Sequence, residues 1–460
     1  MLKHSPLSYM QGISFPAIAD GHGAMQLALQ YQLDASQWWS AEQLLAKQFE
    51  QLRLLLLHAN ATVPYYQRLF AENGVQVPDR IDAKFFQTIP VSGRLAIQQA
   101  GQALDSTALP SAHGAKEYGT TSGSTGRPIR FARTSVTRTF WFAFALRDHF
   151  WHERHFAGKL SAIRWYPRGV AEPPFGAPEA HWGVIVAPLF ATGPACSLNV
   201  AATLAEQLKW LSDEQPDYLV SFPSNLMALV RYASKMGVTL PALLEIRSIG
   251  ESLSNTQRQQ IESAWKTRVV DIYTCEEAGY LALQCPVSGD YHVQSENVIL
   301  EIVDEQGAPC QPGKIGQVLI TSLHNFATPL IRYELGDMAE FGDPCACGRG
   351  LPVIRRIHGR KRSRLQLPSG ESLFPYLGEH EDIPQLTGVK MHQFQCVQHS
   401  VEEIELKLVL ERPLNADEQA KVRALMQRNL GHPFRVRFSF PDNIARGPSG
   451  KYEEFLSLIS

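Results

Sequence analysis

The sequence has few cysteines, almost no net charge and no long apolar run. Seven cysteines in 460 residues are too few for a disulfide-stapled secreted protein, so we expect reduced thiols and a cytoplasmic protein. A formal net charge of −2 gives no electrostatic basis for nucleic acid as a partner. No run of about 18 apolar residues occurs, so no membrane span is expected. The opening segment MLKHSPLSYMQGISF lacks the apolar core of a signal peptide.

What the chain does have is a globular composition, with 44% hydrophobic residues and length for two or three domains. Apolar residues at helical spacing predict helices over 41–58, 135–151 and 224–236. Short apolar runs at 218–222 and 268–273 predict strands. Strands that alternate with helices indicate an α/β fold, with sheets layered against helices.

The character of the chain changes near residues 355–364, RRIHGRKRSR. Beyond this run the sequence predicts a strand, a helix that begins after Asn415 and ends before Gly431, and a second strand over 435–440. We therefore predict a large domain over residues 1–358 and a small α+β domain over residues 359–460. The basic run itself fits a hinge or an anion contact, although a solvated surface and a nucleic-acid patch are the alternatives.

One loop is unusually rich in glycine, serine and threonine: YGTTSGSTGRP at residues 118–128. Glycine lets the backbone approach a ligand closely, and short hydroxyl side chains add hydrogen-bond donors. Such a loop suits phosphate oxygens, while a flexible linker is the alternative. It is not a P-loop of the Walker type, because the required lysine and spacing are missing.

Five further motifs follow this loop in a fixed order. The six segments are TTSGSTGRP (120–128), SIGESLS (248–254), IYTCEEAG (272–279), TPLIRYELGD (328–337), RIHGRKR (356–362) and GPSGKYEEF (447–455). In this order and spacing the chain resembles the adenylate-forming superfamily, and within it the phenylacetate–CoA ligase-like branch, over roughly residues 45–455. The resemblance implies a large N-terminal domain that binds ATP and the acyl substrate, followed by a small mobile C-terminal domain.

The resemblance also implies an activity, in which a carboxylate attacks the α-phosphate of ATP to give an acyl-adenylate and pyrophosphate. A thiol, usually that of CoA, then takes the acyl group; a carrier protein or an amine is the alternative acceptor. Lys451 would approach the α-phosphate as the catalytic cation, and Glu277 would hold Mg²⁺. The implied ATP-binding residues are Thr120, Thr121, Ser122, Gly123, Ser124, Thr125, Gly126, Gly250, Glu251, Tyr273, Asp337 and Arg360.

Five residues depart from the pattern of the branch. Thr274 replaces a glycine, Glu276 a threonine, Glu334-Leu335 an Arg-Thr pair and Arg362 an aspartate. Glu276 places a second carboxylate beside Glu277 and near a triphosphate, which is unfavourable unless Glu276 points away or helps to bind metal. A degenerate relative that binds nucleotide without turnover is therefore an alternative.

A possible zinc site is divided between two segments. CPVSGDYH carries Cys285 and His292, and PCACGRG carries Cys345 and Cys347. Three cysteines and a histidine match a tetrahedral structural zinc, and some members of the resembled branch carry zinc in these regions. The segments are far apart along the chain, so unpaired thiols are the alternative.

The acyl pocket is expected between the helix that follows the phosphate loop and residues 218–251. Trp141, Phe142 and Phe222 are the candidates for its apolar wall, together with Phe144 and Trp182, although aromatic residues at such positions are often core. An aryl or small apolar carboxylic acid is the expected substrate, and the resemblance favours a homodimer.

Overall fold

The computed structural model describes residues 4–121, 129–360, 364–373, 375, 377, 382–446 and 452–459. The chain forms two compact units. The first unit comprises Met1–Leu335 and Ala339–Ile357, and the second comprises Gly336–Met338 and His358–Ser460. Asp337 therefore belongs to the same unit as the C-terminal hundred or so residues.

Eleven α-helices lie in the described part of the chain. They are α1 Gly21–Ser36, α2 Ala41–Thr62, α3 Pro64–Glu72, α4 Ala83–Thr88, α5 Arg94–Ala100, α6 Ser135–Trp151, α7 Leu204–Glu214, α8 Pro223–Met236, α9 Asn255–Trp265, α10 Asp382–Thr387 and α11 Ala416–Leu430. Short 3₁₀ turns cover Gly101–Leu104 and Ser111–His113. None of the helices in these described ranges has both the length and the apolar character needed to cross a membrane.

The described residues also form twenty strands. In the first unit and its junctions these are β1 Glu117–Thr120, β2 Arg130–Arg133, β3 Leu160–Arg164, β4 Ala177–Glu179, β5 Ala195–Asn199, β6 Tyr218–Ser221, β7 Glu245–Ser248, β8 Arg268–Cys275, β9 Gly279–Gln284, β10 Tyr291–Val293, β11 Val298–Val303, β12 Ile315–Ser322, β13 Tyr333–Phe341 and β14 Val353–Arg360. The remaining strands are β15 Leu365–Gln366, β16 Ser372–Leu373, β17 Met391–Ser400, β18 Glu403–Leu410, β19 Arg435–Ser439 and β20 Phe455–Ser457.

Helix boundaries follow from capping residues. Ser40 caps α2 in a capping box with Gln43, and that helix runs on to Thr62, four residues beyond the predicted end. Helix α6 has the predicted bounds. Helix α11 begins after Asn415, whose side chain accepts from the Glu418 amide, and ends at Gly431, which has a φ of 69°. A positive φ at this position favours glycine, because it has no Cβ.

Twelve strands form one sheet in the order β11-β12-β13-β14-β10-β9-β8-β7-β6-β3-β5-β4. Its centre is parallel: β3 pairs in parallel with β5 and β6, β7 with β6, and β8 with β7. Beyond β8 the pairing is antiparallel: β9 pairs with β8, β10 with β9, and β14 with β10. The carboxyl ends of five parallel strands therefore meet along one edge, the usual place for a ligand site in an open α/β sheet.

Helices cover both faces of the parallel strands. Helices α7, α8 and α9 bury one face through a core that includes Ile163, Leu226 and Ile246. Helix α6 covers the opposite face, where Phe144 and Ala143 pack with Ile272 and Leu283. A third core joins α2, α3, α4 and α5 to the antiparallel strands. These layers hold the carboxyl edge of the sheet open beside α6.

The second unit has its own four-stranded sheet, in the order β19-β18-β17-β20. Alternate residues of β18 point into its core, so Ile404, Leu406 and Leu408 are fully buried. Helix α11 covers these residues with Val422 and Met426. The predicted strand–helix–strand order is confirmed, and β18 and β19 are parallel.

Leu406→Ala should destabilise the second unit by about 2–5 kcal/mol, because it leaves a cavity between the sheet and α11. Hydrogen exchange of the β18 amides in the full chain would measure this loss. Lys407→Ala, on the other face of the same strand, is the matched control and should change stability by no more than about 0.5 kcal/mol. Equal protection in the two variants would contradict the packing of Leu406.

Candidate active site

Predicted nucleotide residues lie in or directly after two adjacent parallel strands, β7 and β8. The turn after β7 contains Gly250, whose φ of 78° favours glycine. Glu251 follows it, and its Oε2 accepts a hydrogen bond of 2.9 Å from the Ser224 amide at the start of α8. This bond fixes the Glu251 carboxylate at a helix N-terminus, where negative charge is favourable. Tyr273 lies in the next strand, β8, and is buried in the core.

A two-stranded hairpin holds the ends of the phosphate-loop candidate together. The Thr121 amide donates to the Ile129 carbonyl, and the Ile129 amide donates to Thr121 Oγ1, both at 2.9 Å. Thr120 ends β1 opposite Arg130. Five further predicted loop residues lie outside the described residues: Ser122, Gly123, Ser124, Thr125 and Gly126.

A cavity of ≈ 230 Å³ opens between α6, the turn that joins β8 to β9, the start of β9 and the end of β12. Its lining includes Trp141 and Phe142, two of the residues that the sequence suggests for the acyl pocket. Phe222 is absent from its lining and packs in the core under α7, α8 and α9. Phe144 and Trp182 are also core residues. The cavity is more polar than expected, since its described lining also includes Glu117, Arg133, Thr134, Thr137, Arg138, Glu276, Glu277, Asn297, Ser322, His324 and Asn325.

Three ring residues of this lining were missed from the sequence. Phe140 stacks on His324 with ring centroids 3.7 Å apart and an interplanar angle of 1°. Tyr280 meets Trp141 edge to face at 5.3 Å. Phe140 precedes Trp141 in the same helix, so its position in the sequence could have identified it as a lining residue. His324 and Tyr280 lie far from α6 along the chain, and no local signal identifies them.

The adjacent carboxylates of Glu276 and Glu277 have different surroundings. Glu277 is buried, with 7% of its surface exposed, and faces the cavity. Glu276 forms an ion pair with Arg133, with Oε2 and Nη2 2.5 Å apart, and Arg133 Nη2 also donates to the Glu276 carbonyl at 2.7 Å. The guanidinium therefore supplies a counter-charge for the carboxylate that departs from the resembled pattern.

Asp337 and Arg360 are neighbours within the second unit. Asp337 Oδ1 lies 3.0 Å from Arg360 Nε. Gly336 precedes the aspartate with a φ of 83°, so the backbone turns there in a conformation that favours glycine. Two residues predicted separately for the nucleotide are thus brought together. Lys451 lies outside the described residues.

His324 is a neutral wall of the cavity at ordinary pH. Burial lowers the pKa of His324 to about 4, although a hydrogen bond to the Glu296 carbonyl raises it in part. Its Nε2 lies 2.8 Å from that carbonyl oxygen. The ring therefore donates a hydrogen bond and offers the cavity an uncharged stacked face.

The two segments with potential metal ligands meet. The ligand atoms of Cys285, His292, Cys345 and Cys347 all lie within 4.8 Å of one another. The sulfurs of Cys285 and Cys345 are 3.8 Å apart, and Cys347 Sγ lies 3.3 Å from His292 Nε2. Two sulfurs that bind one tetrahedral zinc at about 2.3 Å are about 3.8 Å apart, so the spacing fits that ion.

Surrounding groups orient these ligands. The second ring nitrogen of His292 lies 3.2 Å from the Leu351 carbonyl, which leaves Nε2 to face the sulfurs. Burial alone would raise the pKa of the Cys285 thiol, but hydrogen bonds from His292 and from the amides of Ser288 and Val287 lower it to about 5. A ready thiolate is the form that binds metal.

The chain is similar to several phenylacetate-coenzyme A ligases. The phenylacetate-coenzyme A ligase of Thermus thermophilus is 25% identical over 459 residues, covering 91% of this chain and 97% of that protein. The Escherichia coli phenylacetate-coenzyme A ligase is 25% identical over 76% of this chain and 78% of its own. The CapK C-terminal domain family matches residues 383–457.

Among solved structures, a 2-hydroxyisobutyryl-CoA ligase in the postadenylation state, in complex with 2-HIB-AMP, superposes with a TM-score of 0.69. It is 19% identical and covers 92% of this chain and 91% of its own. The predicted α/β fold class is confirmed, as is the resemblance to adenylate-forming enzymes of the phenylacetate–CoA ligase-like branch.

Acid should destabilise the fold around His324. In the unfolded chain His324 takes up a proton below about pH 6.5, its ordinary pKa. In the folded chain it does so only near pH 4. The unfolded state thus binds more protons in this window, and stability falls as the pH drops through it. His324→Gln should flatten the fall of the unfolding free energy between pH 7 and pH 4. His22→Gln, at an exposed site in α1, is the control; equal slopes for His324→Gln and wild type would refute the assignment.

Proposed function

We propose that this chain, which shares the fold of adenylate-forming ligases and resembles phenylacetate–CoA ligases along most of its length, is an AMP-forming acid–CoA ligase. The observation that carries the proposal is the placement of its motifs. Glu251 and Glu277 follow adjacent parallel strands at the carboxyl edge of the sheet. The hairpin that clamps the phosphate-loop ends lies beside the same cavity, through Arg133.

The first half-reaction joins the acid to AMP. A carboxylate oxygen attacks the α-phosphorus of ATP, the bond to the bridging oxygen of the β-phosphate breaks, and pyrophosphate leaves. The reactants are both anions, so the site must supply positive charge. Lys451 would provide it at the α-phosphate, and the hydroxyl-rich loop from Thr120 to Gly126 would bind the departing phosphates.

Glu277 fits a magnesium ligand, because its buried carboxylate faces the cavity and hard oxygen ligands suit this ion. When bound, Mg²⁺ supplies charge that offsets the triphosphate. Arg133 keeps the charge of Glu276 balanced beside it. Asp337 would accept hydrogen bonds from both ribose hydroxyls, in a position that Arg360 already holds by its ion pair.

The second half-reaction passes the acyl group to a thiol. The sulfur of CoA attacks the acyl carbonyl, and AMP leaves as the acyl–phosphate bond breaks. CoA is preferred as the acceptor because the relatives are named as CoA ligases. A carrier-protein thiol or an amine is the alternative, and a cytoplasmic homodimer is the expected form of the enzyme.

Zinc is proposed for the cluster of Cys285, His292, Cys345 and Cys347. The donor set is that of a structural site: four protein ligands fill a tetrahedron and leave no open position for substrate. The metal would fasten the turn between β9 and β10 to the segment that precedes β14. No step of the reaction involves it.

The activity is tested by pyrophosphate release from ATP across a panel of aryl, fatty and amino acids, with and without CoA. Release that depends on one acid identifies the substrate, and AMP and acyl-CoA must appear in equal amounts when CoA is present. Measurable ATP binding without release for any acid would reject the proposal in favour of a non-catalytic nucleotide-binding protein.

Lys451→Ala should lower the rate of acyl-adenylate formation by more than about 100-fold, because it removes the cation at the α-phosphate in the transition state. ATP binding, followed by calorimetry, should be nearly unchanged. Lys390→Ala, on the surface of the same unit, is the control. Full turnover by Lys451→Ala would remove this residue from the mechanism.

Protein purified without chelator should contain about one zinc per chain by elemental analysis, since a complete tetrahedral set binds the ion tightly. Cys345→Ser with Cys347→Ser should lose the metal and melt at a lower temperature. Cys310→Ser, at a thiol outside the cluster, should keep the metal. Wild-type protein without zinc would reject the assignment.

A further inference from the structure

Arg164 occupies an unusual position at the carboxyl end of β3. Along this strand, Ser161 and Ile163 are buried on the side covered by α7, α8 and α9. Because side chains alternate along a strand, Ala162 and Arg164 face α6 instead. Arg164 is exposed, although Asn199 opposite it in β5 and all four residues of β6 are buried. Arg164 therefore lies at the carboxyl edge of the parallel strands, the usual place for a ligand in an open α/β sheet.

The neighbouring charges on this face already form a closed network. Asp148 of α6 accepts from Arg154 at 2.6 Å and from Arg247 at 2.7 Å. Glu245 lies 2.5 Å from Arg154 and 2.6 Å from Arg268. Each carboxylate thus bridges two guanidinium groups, although Asp148 Oδ1 accepts no hydrogen bond from the described residues.

The two histidines of the network, His149 and His152, carry no charge near pH 7. Burial lowers the pKa of His149 well below its ordinary value. Burial likewise lowers the pKa of His152 to about 4, so both rings are neutral near pH 7. Two carboxylates pair with three arginines, Arg154, Arg247 and Arg268. The network therefore already has an excess of positive charge, and Arg164 adds to it.

Within the part of the chain that the structure describes, the Arg164 side chain has neither a hydrogen bond nor an ion pair; its carbonyl accepts from the Val200 amide. Protein atoms packed around the guanidinium desolvate it and lower its pKa, although part of the residue is exposed, and the charge of Arg247 lowers the pKa further, against Tyr166 and Tyr280. Arg247 also has a buried Nε without a hydrogen-bond partner among the described residues. An anion that joined Arg164 here would be attracted by the charge of Arg247 as well, and would form charge-assisted hydrogen bonds.

The surroundings connect this cation to the proposed acyl pocket. The ring of Tyr280 lines the cavity, and its hydroxyl is close enough to Arg164 and Arg247 for their charges to lower its pKa, although burial raises that pKa more strongly. Trp165 follows Arg164 and is 47% exposed. An acid that extended from the cavity past Tyr280 would approach the guanidinium of Arg164.

We propose that Arg164 binds a second anionic group of the acyl substrate, so that the acid activated here carries a negative charge at both ends. This inference rests on the proposed adenylation activity. The reacting carboxylate is at one end of the acid, and a carboxylate, sulfonate or phosphonate at the other end pairs with Arg164. The planar fork of arginine suits these groups, since it donates two parallel hydrogen bonds to one of them.

The same geometry predicts rejection of neutral analogues. A neutral end would leave the guanidinium without a partner in a cleft already rich in positive charge. A hydrogen bond between charged groups changes affinity by about 10- to 100-fold. The wild-type enzyme should therefore prefer the dianionic member of a matched pair of acids by about that factor in kcat/KM.

The experiment measures acid-dependent pyrophosphate release for matched pairs. One pair is phenylacetate and 1,4-phenylenediacetate, and another is octanoate and octanedioate; 4-sulfophenylacetate and 4-phosphonophenylacetate separate the possible anions. Arg164→Gln should abolish the preference, and Arg164→Lys should restore part of it. Arg168→Gln, at an exposed arginine in the following loop, should keep the preference.

The outcomes separate this inference from the proposed function. Turnover of neutral acids with no preference for dianions would overturn the inference and leave the ligase activity intact. A KM increase for ATP or CoA with every acid in Arg164→Gln would overturn it as well, because Arg164 would then contact the nucleotide or CoA. If no acid supports release, the activity fails. Calorimetry would then compare the binding of 1,4-phenylenediacetate and phenylacetate. Tighter binding of the diacid that is lost in Arg164→Gln would still support the anion site, and equal binding of the two acids would reject the site.

Discussion

The buried pairing of Asp148 with Arg154 and Arg247 is the constraint on which the site depends. Although burial alone would raise the pKa of Asp148, the two guanidinium charges hold it below its ordinary value. The aspartate lies in α6 and Arg247 in β7, so the pairing fixes the distance between the helix and the sheet. Removing one partner would leave a buried charge without compensation, a change that costs roughly 3–5 kcal/mol.

That fixed distance explains the shape of the cavity. The first half of α6 carries Trp141 and Phe142 along its edge, and the second half carries the ionic anchor. Because the anchor residues Asp148, Arg154 and Arg247 are buried, the open space lies beside the aromatic half. The cleft is thus a gap between the helix layer and the sheet.

Local sequence signals predicted the elements well and the contacts between them poorly. The bounds of α6 and the caps of α11 follow from residues within a few positions of each other. The partner of Glu276 is Arg133, which is 143 positions away and enters only through the hairpin β1–β2. Phe222 follows β6 and packs in the core with residues of α7, α8 and α9, a contact that its position in the sequence does not reveal.

The metal-ligand cluster and Arg164 show the same limit in different ways. Residue types suggested the Cys₃His set, but only the antiparallel pairing of β10 with β14 brings its two segments together. Nothing in the residues around Arg164 distinguishes it from an ordinary surface arginine. Its significance depends on which strands flank β3 and on how the neighbouring carboxylates are already occupied.

The order of strands in the large sheet also bears on how the chain is made. Strand β10 lies between β9 and β14, yet β14 leaves the ribosome about 60 residues after β10 does. At roughly 5–20 residues per second, the β10 edge waits for several seconds without its second neighbour. Cys285 and His292 wait through the same interval for Cys345 and Cys347. During synthesis, therefore, the growing chain displays both an unpaired strand edge and half of a thiol cluster, which makes this interval the one in which chaperone protection matters most.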